Sequence, residues 1–542
     1  MRQINFGARS IRYRALRVSD HSKHLSSQRN PSSRTAMCVT SVGMHYPLPS
    51  SSILFRVAIC IFLTVSLSFA TDEAVVWNGE LSGVVTVSPS ARVIVSNVCA
   101  IASQTVITNY GSITITNGGY FAPKYGGSLR LVIVNMPGAA FEIAQDLNPF
   151  AGAQSPAAAF TNHAGATLCK TSGNGGDTID YLRLDNCGTI FVNSGSLVFS
   201  DELWFHDGTR LSGSGQIVLS NRKLIVDGDI TINGVALVAA NYSGIFATNG
   251  VARIHTSGAG VLEWQSGELG GELHFPQDSR VRVTGTNLKW VSPGNRIING
   301  GVWDWKTPST VELYDTALFI NSTSGVFNVT TNAGFIRGIY NGRPIFTNSG
   351  TINLLSPYSR FIAGDFRAGG FNTLLGPSSV INLKIENADS NATPRLQSPI
   401  ALVAFGGTMN VAFAEGISLT NGASFIVGSY GGRTNEFDTV NLPPLPFPLK
   451  WRVDYGDNFR YRNIILRVEQ TPGRLASTTT DSSGNFSFSF TGPAAGNCVI
   501  EASDDLQTWL PIFTNSPFSG SLTFQESALG RPQRFYRTIL SP

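Results

Sequence analysis

The densest group of ionisable side chains in the sequence is Glu263, Glu268, Glu272 and His274, within Leu262-Glu-Trp-Gln-Ser-Gly-Glu-Leu-Gly-Gly-Glu-Leu-His274. Two carboxylates on either side of a glycosidic bond can act as acid and as base or nucleophile. Trp264 beside them offers a ring face on which a sugar can stack. These five residues are the weak candidates for a carbohydrate site. Gly-Glu-Leu occurs twice in the run, at 267 and 271, which favours repeated strand ends over a built acid–base pair. Asp201-Glu202 and Asp227-Gly-Asp229 sit beside turns and read as solvated.

Other chemistry finds less support. His163, His206, His255 and His274 are isolated from one another in sequence, and no HExxH, GxSxG, Walker A or dinucleotide fingerprint accompanies them. Gly173-Asn-Gly-Gly-Asp177-Thr-Ile179 resembles one calcium-binding nonapeptide, but a calcium roll needs adjacent copies and none follows. No CxxC or clustered Cys/His pattern points to zinc. No residue is therefore assigned a catalytic, cofactor-binding or metal-binding role.

The formal charge of +4 is concentrated at the start of the chain: the first 70 residues hold nine Lys/Arg and one acid, and the remainder 30 basic and 34 acidic residues. A basic footprint for nucleic acid is thus absent. Val57 to Ala70 is an apolar run that follows Arg56 and ends in Ser68-Phe69-Ala70, the pattern of a signal peptide cleaved after Ala70. It is shorter than the ~20 residues of a membrane anchor, so the mature chain is expected to hold no transmembrane segment and to work secreted or at the cell surface. A start at Met44 would give a leader of ordinary length.

Cleavage leaves Cys99, Cys169, Cys187 and Cys498, which allow three pairings. Cys169 and Cys187 are separated by about one coil of a small solenoid, and strands stack ~4.8 Å apart, within reach of a disulfide. That bond is expected.

The remaining sequence is repetitive. Asn109-Tyr-Gly-Ser-Ile-Thr-Ile, Asn186-Cys-Gly-Thr-Ile-Phe-Val and Asn348-Ser-Gly-Thr-Ile-Asn-Leu each hand a turn over to a strand in which apolar and polar residues alternate. Asn135, Phe141 and Phe160-Thr-Asn162 recur 186 residues later as Asn321, Phe327 and Phe346-Thr-Asn348, as a duplication would leave them. In that register Trp303 and Trp305 fall opposite Ile113 and Ile115, which makes them core residues; Trp264 and Trp290 are less constrained. Repeats of this kind bury their apolar faces against their neighbours. The expected fold is an all-β, right-handed parallel β-helix with turn asparagines stacked in ladders. Coils of ~20 residues would number about 18 over residues 71–468.

Gly406-Gly-Thr-Met-Asn-Val, Ala423-Ser-Phe-Ile-Val-Gly-Ser-Tyr-Gly-Gly-Arg and Leu449-Lys-Trp-Arg-Val-Asp-Tyr resemble the closing module of bacterial autotransporter-like secreted β-helix repeat proteins. Ala164-Gly-Ala-Thr-Leu-Cys and Gly260-Val-Leu-Glu-Trp-Gln resemble repeats of the same family. The last segment, with Phe486-Ser-Phe-Ser-Phe and Arg534-Phe-Tyr-Arg537, is similar to the small C-terminal β-sandwich modules that end many exported bacterial repeat proteins. The expected organisation is a leader at 1–70, β-helix repeats at 71–400, a solenoid-terminal module at 401–468, a linker at 469–484 and a β-sandwich at 485–542. The function this implies is a non-enzymatic exported protein for adhesion, matrix building or binding, with polysaccharide or surface proteins as partners. A polysaccharide lyase or glycoside hydrolase is the alternative, and it would need carboxylates gathered in one groove.

Overall fold

Alternation of apolar and polar residues sends every second side chain to the same side of a strand. Leu182–Asn186, Thr189–Val192 and Ser196–Phe199 are three such strands, each with its alternate side chains buried. The next coil repeats the order with Leu203–His206, Arg210–Gly213 and Gln216–Ser220. Each strand pairs in parallel with its counterpart one coil on. The computed structural model is an all-β parallel β-solenoid of about 12 turns, without a helix among the described residues. The three parallel ladders, in the order the chain visits them, are called here face one (as in Leu182–Asn186), face two (Thr189–Val192) and face three (Ser196–Phe199).

The structure describes residues 74–541 apart from 117, 126–129, 147, 152–157, 181, 339–341, 357–358, 365–371, 387–394, 418, 447–448, 457–461, 472, 495, 528–529 and 531–532. They belong to one compact unit, Phe62–Pro542. The expected leader, its cleavage after Ala70 and the start at Met44 lie outside the described residues.

Coils lengthen along the chain. Gly176 pairs with Ser196 early on face three, whereas Thr408 pairs with Thr439 at its end. The extra residues lie in corners and loops, where insertion is thermodynamically mild, and they explain why there are fewer turns than the expected 18. The 186-residue similarity also has a different meaning from duplication. Asn135 and Asn162 end face-one strands, but Asn321 and Asn348 end face-two strands; Phe141 lies on face two and Phe327 on face three. What recurs is a corner unit moved on by one face, not a whole number of coils.

Those corner asparagines form buried ladders. Asn109, Asn135 and Asn162 each donate Nδ2–H to the Oδ1 of the next rung, at 2.7, 2.9 and 2.7 Å, the last to Asn186, which continues to Thr209 Oγ1. A second ladder runs Asn299, Asn321, Asn348 and Ser379. The Asn-x-Gly spacing is demanded by room and not by a left-handed backbone: a Cβ on Gly188 would lie 2.4 Å from Ala166 O and 2.7 Å from Asn162 Nδ2, and Gly188 has no positive φ.

The expected Cys169–Cys187 disulfide is absent; both residues are thiols. The local register sets Cys169 opposite Phe191 on face two, while Asn186, next to Cys187, sits opposite Asn162 at the end of face one. Eighteen residues fall short of a coil here, so the two side chains never stack.

The core fills with aromatic side chains in the middle coils. Trp303 packs edge-on between Phe275 and Phe319 at 5.3 and 5.2 Å, and Trp303 and Trp305 are fully buried, in the core role expected of them. At the far end the parallel ladder stops. Arg462–Gln470 pairs antiparallel with both Ser424–Arg433 and Leu449–Tyr455, covering an edge that would otherwise stay open. Trp451 stacks on Phe413 at 5.3 Å and donates Nε1–H to Pro443 O.

Beyond this hairpin, two three-stranded antiparallel sheets enclose a second core that includes Phe488, Phe490, Cys498, Ile500 and Phe524. The segment read as a linker contributes a strand, Arg474–Thr480, to the first of them. Its Ser/Gly residues form the following turn, where Asp481 Oδ1 accepts from the amides of Ser483 and Asn485.

Candidate functional site

The five candidate residues are divided among three faces and the core. Trp264 is fully buried. Glu263 points outward on face three, bonded to Gln265 and Thr284 and 3.5 Å from Arg282. Glu268 lies on face one, in register with Trp290. Glu272 and His274 share a face-two strand, with Glu272 Oε1 3.0 Å from His274 Nε2 and 3.5 Å from Arg296. The density in sequence therefore does not become density in space, because nine residues of strand cross a corner and alternate in and out.

Face one carries the outward aromatics. Asp185, Trp204, Ile225, Phe246 and Gly270 follow one another in register, one per coil. In the adjacent column Glu268, Trp290 and Glu312 do the same. Trp204, Phe246 and Trp290 are half-buried on the outer surface. Phe246 lies flat on the sheet: a Cβ at Gly244 or Gly270 would come within 2.3 Å of its ring. Lys223 Nζ stands 4.8 Å from that ring, and the Arg183 guanidinium 5.8 Å from Trp204. Phenyl and indole surface held on a rigid sheet is suited to stacking against the apolar side of a sugar ring.

At the corner of faces one and two, ionisable groups from several coils meet. His206 lies between Asp185 and Asp227, at 4.0 and 3.7 Å. The next coils bring Asp207, Arg210, Asp229, His255 and Asp278 around an open depression of about 370 Å³. Asp207 Oδ1 accepts from the Asp229 amide at 2.9 Å, Arg253 pairs with Asp229 at 3.3 Å, and His255 Nδ1 lies 3.0 Å from Asp278. Asp227 and Asp229, read from sequence as turn residues, belong to this corner. Their neighbours could be found only with the coil register in hand.

Face three is different in kind. Asn328, Asn353, Asn382, Asn410 and Asn441 form an outward ladder anchored on Asp304, with Nδ2 to Oδ1 distances of 3.0, 3.0, 2.7, 2.7 and 2.7 Å. A depression of about 620 Å³ runs beside it, bordered by Leu355, Phe413, Leu442 and Pro443. The sequence carried the signal in Val326-Phe-Asn-Val, Thr351-Ile-Asn-Leu, Val380-Ile-Asn-Leu, Thr408-Met-Asn-Val and Thr439-Val-Asn-Leu. Attention to corner asparagines hid these mid-strand ones.

Asp177, in the stretch that resembles a calcium nonapeptide, faces inward and pairs with Lys170 at 2.8 Å. Among the described residues no group of three or more His, Cys, Asp or Glu is arranged to hold a metal ion. No helix among them is long and apolar enough to cross a membrane. No protein-family model matches the chain, and no curated protein matches it in sequence.

Proposed function

We propose that this chain is an exported, non-enzymatic β-solenoid that binds polysaccharide along face one, at the cell surface or outside the cell. The observation that carries the reading is the outward placement of Trp204, Phe246 and Trp290 on a sheet that otherwise turns its aromatics inward. Charged and amide side chains around them supply partners for hydroxyl groups. The apolar run Val57–Ala70 supports export, and the resemblance to autotransporter-like repeat proteins supports a surface role. Affinity electrophoresis of the mature chain through gels containing individual polysaccharides tests it. At least one glycan should retard the wild type, and Trp204→Ala and Trp290→Ala should each weaken retardation about tenfold. Equal mobility of wild type and both variants in every glycan would refute the reading.

The corner depression favours a second reading, a carbohydrate-active enzyme using Asp207, Asp229, Asp278 and His255. Three observations weigh against it: the depression is open, Asp229 is bonded to Arg253, and the Asp278 side chain is about half exposed. Reducing ends or unsaturated products released by wild type and lost in Asp229→Asn would establish that reading instead.

A further inference from the structure

We infer that the depression on face one between Arg130 and Arg183 is a subsite for an anionic sugar residue, so that the glycan bound by the aromatic strip is an acidic polysaccharide. This rests on the polysaccharide reading above and adds its charge class.

The depression measures about 420 Å³ and is bordered by Gln104, Arg130, Val132, Ala159 and Arg183. Val132, Ala159 and Arg183 occupy one outward column, rung on rung. Two small side chains in succession, where later coils place Lys223, Trp290 and Glu312, leave a low apolar floor between two guanidinium groups. Arg183 connects this floor to the aromatic strip, since its guanidinium also stands over Trp204. A chain stacked on Trp204 therefore passes directly into the space between the arginines.

The charges are unequally balanced. Asp185 in the same strand lies 3.4 Å from Arg183 and Glu202 follows it in the next coil, so Arg183 is largely offset. Arg130 is exposed and has no ion-pair partner among the described residues. A guanidinium without a counterion beside a shallow apolar floor is matched by a pyranose bearing a carboxylate or sulfate: the fork takes two oxygens of the anion, and the ring's C–H face covers Val132 and Ala159. Gln104 can donate to and accept from sugar hydroxyls.

The test compares binding of the mature chain to polygalacturonate, to its fully methyl-esterified form, and to a sulfated and an unsulfated galactan, by affinity electrophoresis at low and high salt. Wild type should bind an acidic polymer at least about tenfold more tightly than its neutral counterpart, with the preference narrowing as salt rises. Arg130→Gln should remove most of that preference while leaving the thermal midpoint unchanged, and Arg130→Lys should retain part of it. A preference for polygalacturonate assigns the anion as a carboxylate, and a preference for the sulfated galactan as a sulfate ester. Equal binding of acidic and neutral forms, or a preference unaffected by Arg130→Gln, overturns the anionic subsite and leaves the general polysaccharide reading standing. Failure to bind any glycan overturns both.

Discussion

Lys170 and Asp177 meet inside the solenoid, Nζ to Oδ2 at 2.8 Å, with neither side chain exposed to solvent. Both occupy inward positions that neighbouring coils fill with apolar residues: Lys170 is in register with Ile143 and Val192, and Asp177 with Leu197. Asp146 Oδ1 and two backbone carbonyls complete the bonding of the ammonium. Burial pulls the Lys170 pKa down, but pairing with Asp146 and Asp177 more than offsets it and leaves the group above its ordinary value. Removing one partner strands the other charge, which typically destabilises by about 3–5 kcal/mol, whereas an apolar pair of similar volume is near neutral. Lys170→Met should therefore lower stability strongly, and Lys170→Met with Asp177→Leu should recover most of the loss. Thermal unfolding and amide exchange over residues 160–200 measure this. A single variant no worse than the double would contradict the ion pair's role.

The inner and outer asparagine ladders should respond unequally to the same substitution. Asn162 is fully buried, accepts from Asn135 and donates to Asn186. Asn162→Ala leaves two buried groups without partners, for a loss of about 2–4 kcal/mol. Asn353 faces outward, and water can replace its side chain for its neighbours, so Asn353→Ala should lose no more than about 1 kcal/mol. Denaturant titration of the two variants compares them; similar losses would mean that outward rungs are as shielded as inward ones.

Two kinds of information in the sequence had different reach. Alternation and corner chemistry are local, and they sufficed for the β-solenoid, for Trp303 and Trp305 in the core, and for stacked corner asparagines. Coil length is set by how far each loop departs from the minimum, which no local pattern encodes. The error there propagated to the turn count, to the meaning of the 186-residue similarity and to Cys169–Cys187. It also decided the site. Trp204 and Phe246 are 42 residues apart in sequence and two rungs apart on face one. Glu263 and Glu272, by contrast, are close in sequence and lie on different faces. The segment 474–480 was misread for another reason: its Thr/Ser composition resembles a linker, yet β-branched threonines suit a strand once a partner such as Asn485–Thr491 lies opposite.

The thiols should behave as isolated groups. Cys99 and Cys169 are buried, and burial raises both pKa values to about 12, chiefly by penalising the thiolate. Native chain should resist alkylation at these two positions at neutral pH. Unfolded without reductant, Cys169 and Cys187 should each take up one alkyl group, as peptide mass spectrometry would show. Alkylation that appears only after reduction would restore the disulfide.

Lys289 provides a pH signature of the folded solenoid. It is fully buried at the start of the face-one strand Lys289–Val291, and its ammonium donates to Gly285 O at 2.8 Å and Asn287 O at 3.2 Å. Without a carboxylate to offset it, burial pushes the Lys289 pKa down to about 8 from 10.5. Between these two values the unfolded chain binds more protons than the folded one, so this residue makes stability rise with pH across that window. Below about 8 both states are protonated and the folded chain carries the full penalty, about 3 kcal/mol. Above 10.5 both are neutral and the penalty is gone. Lys289→Met removes the buried charge and should stabilise the protein at pH 7, with the advantage over wild type shrinking steadily as pH rises from 8 to 10.5. Subtracting the two stability–pH profiles isolates Lys289 from other titrating groups. A constant difference across that range would show that the lysine keeps its ordinary pKa in the folded chain.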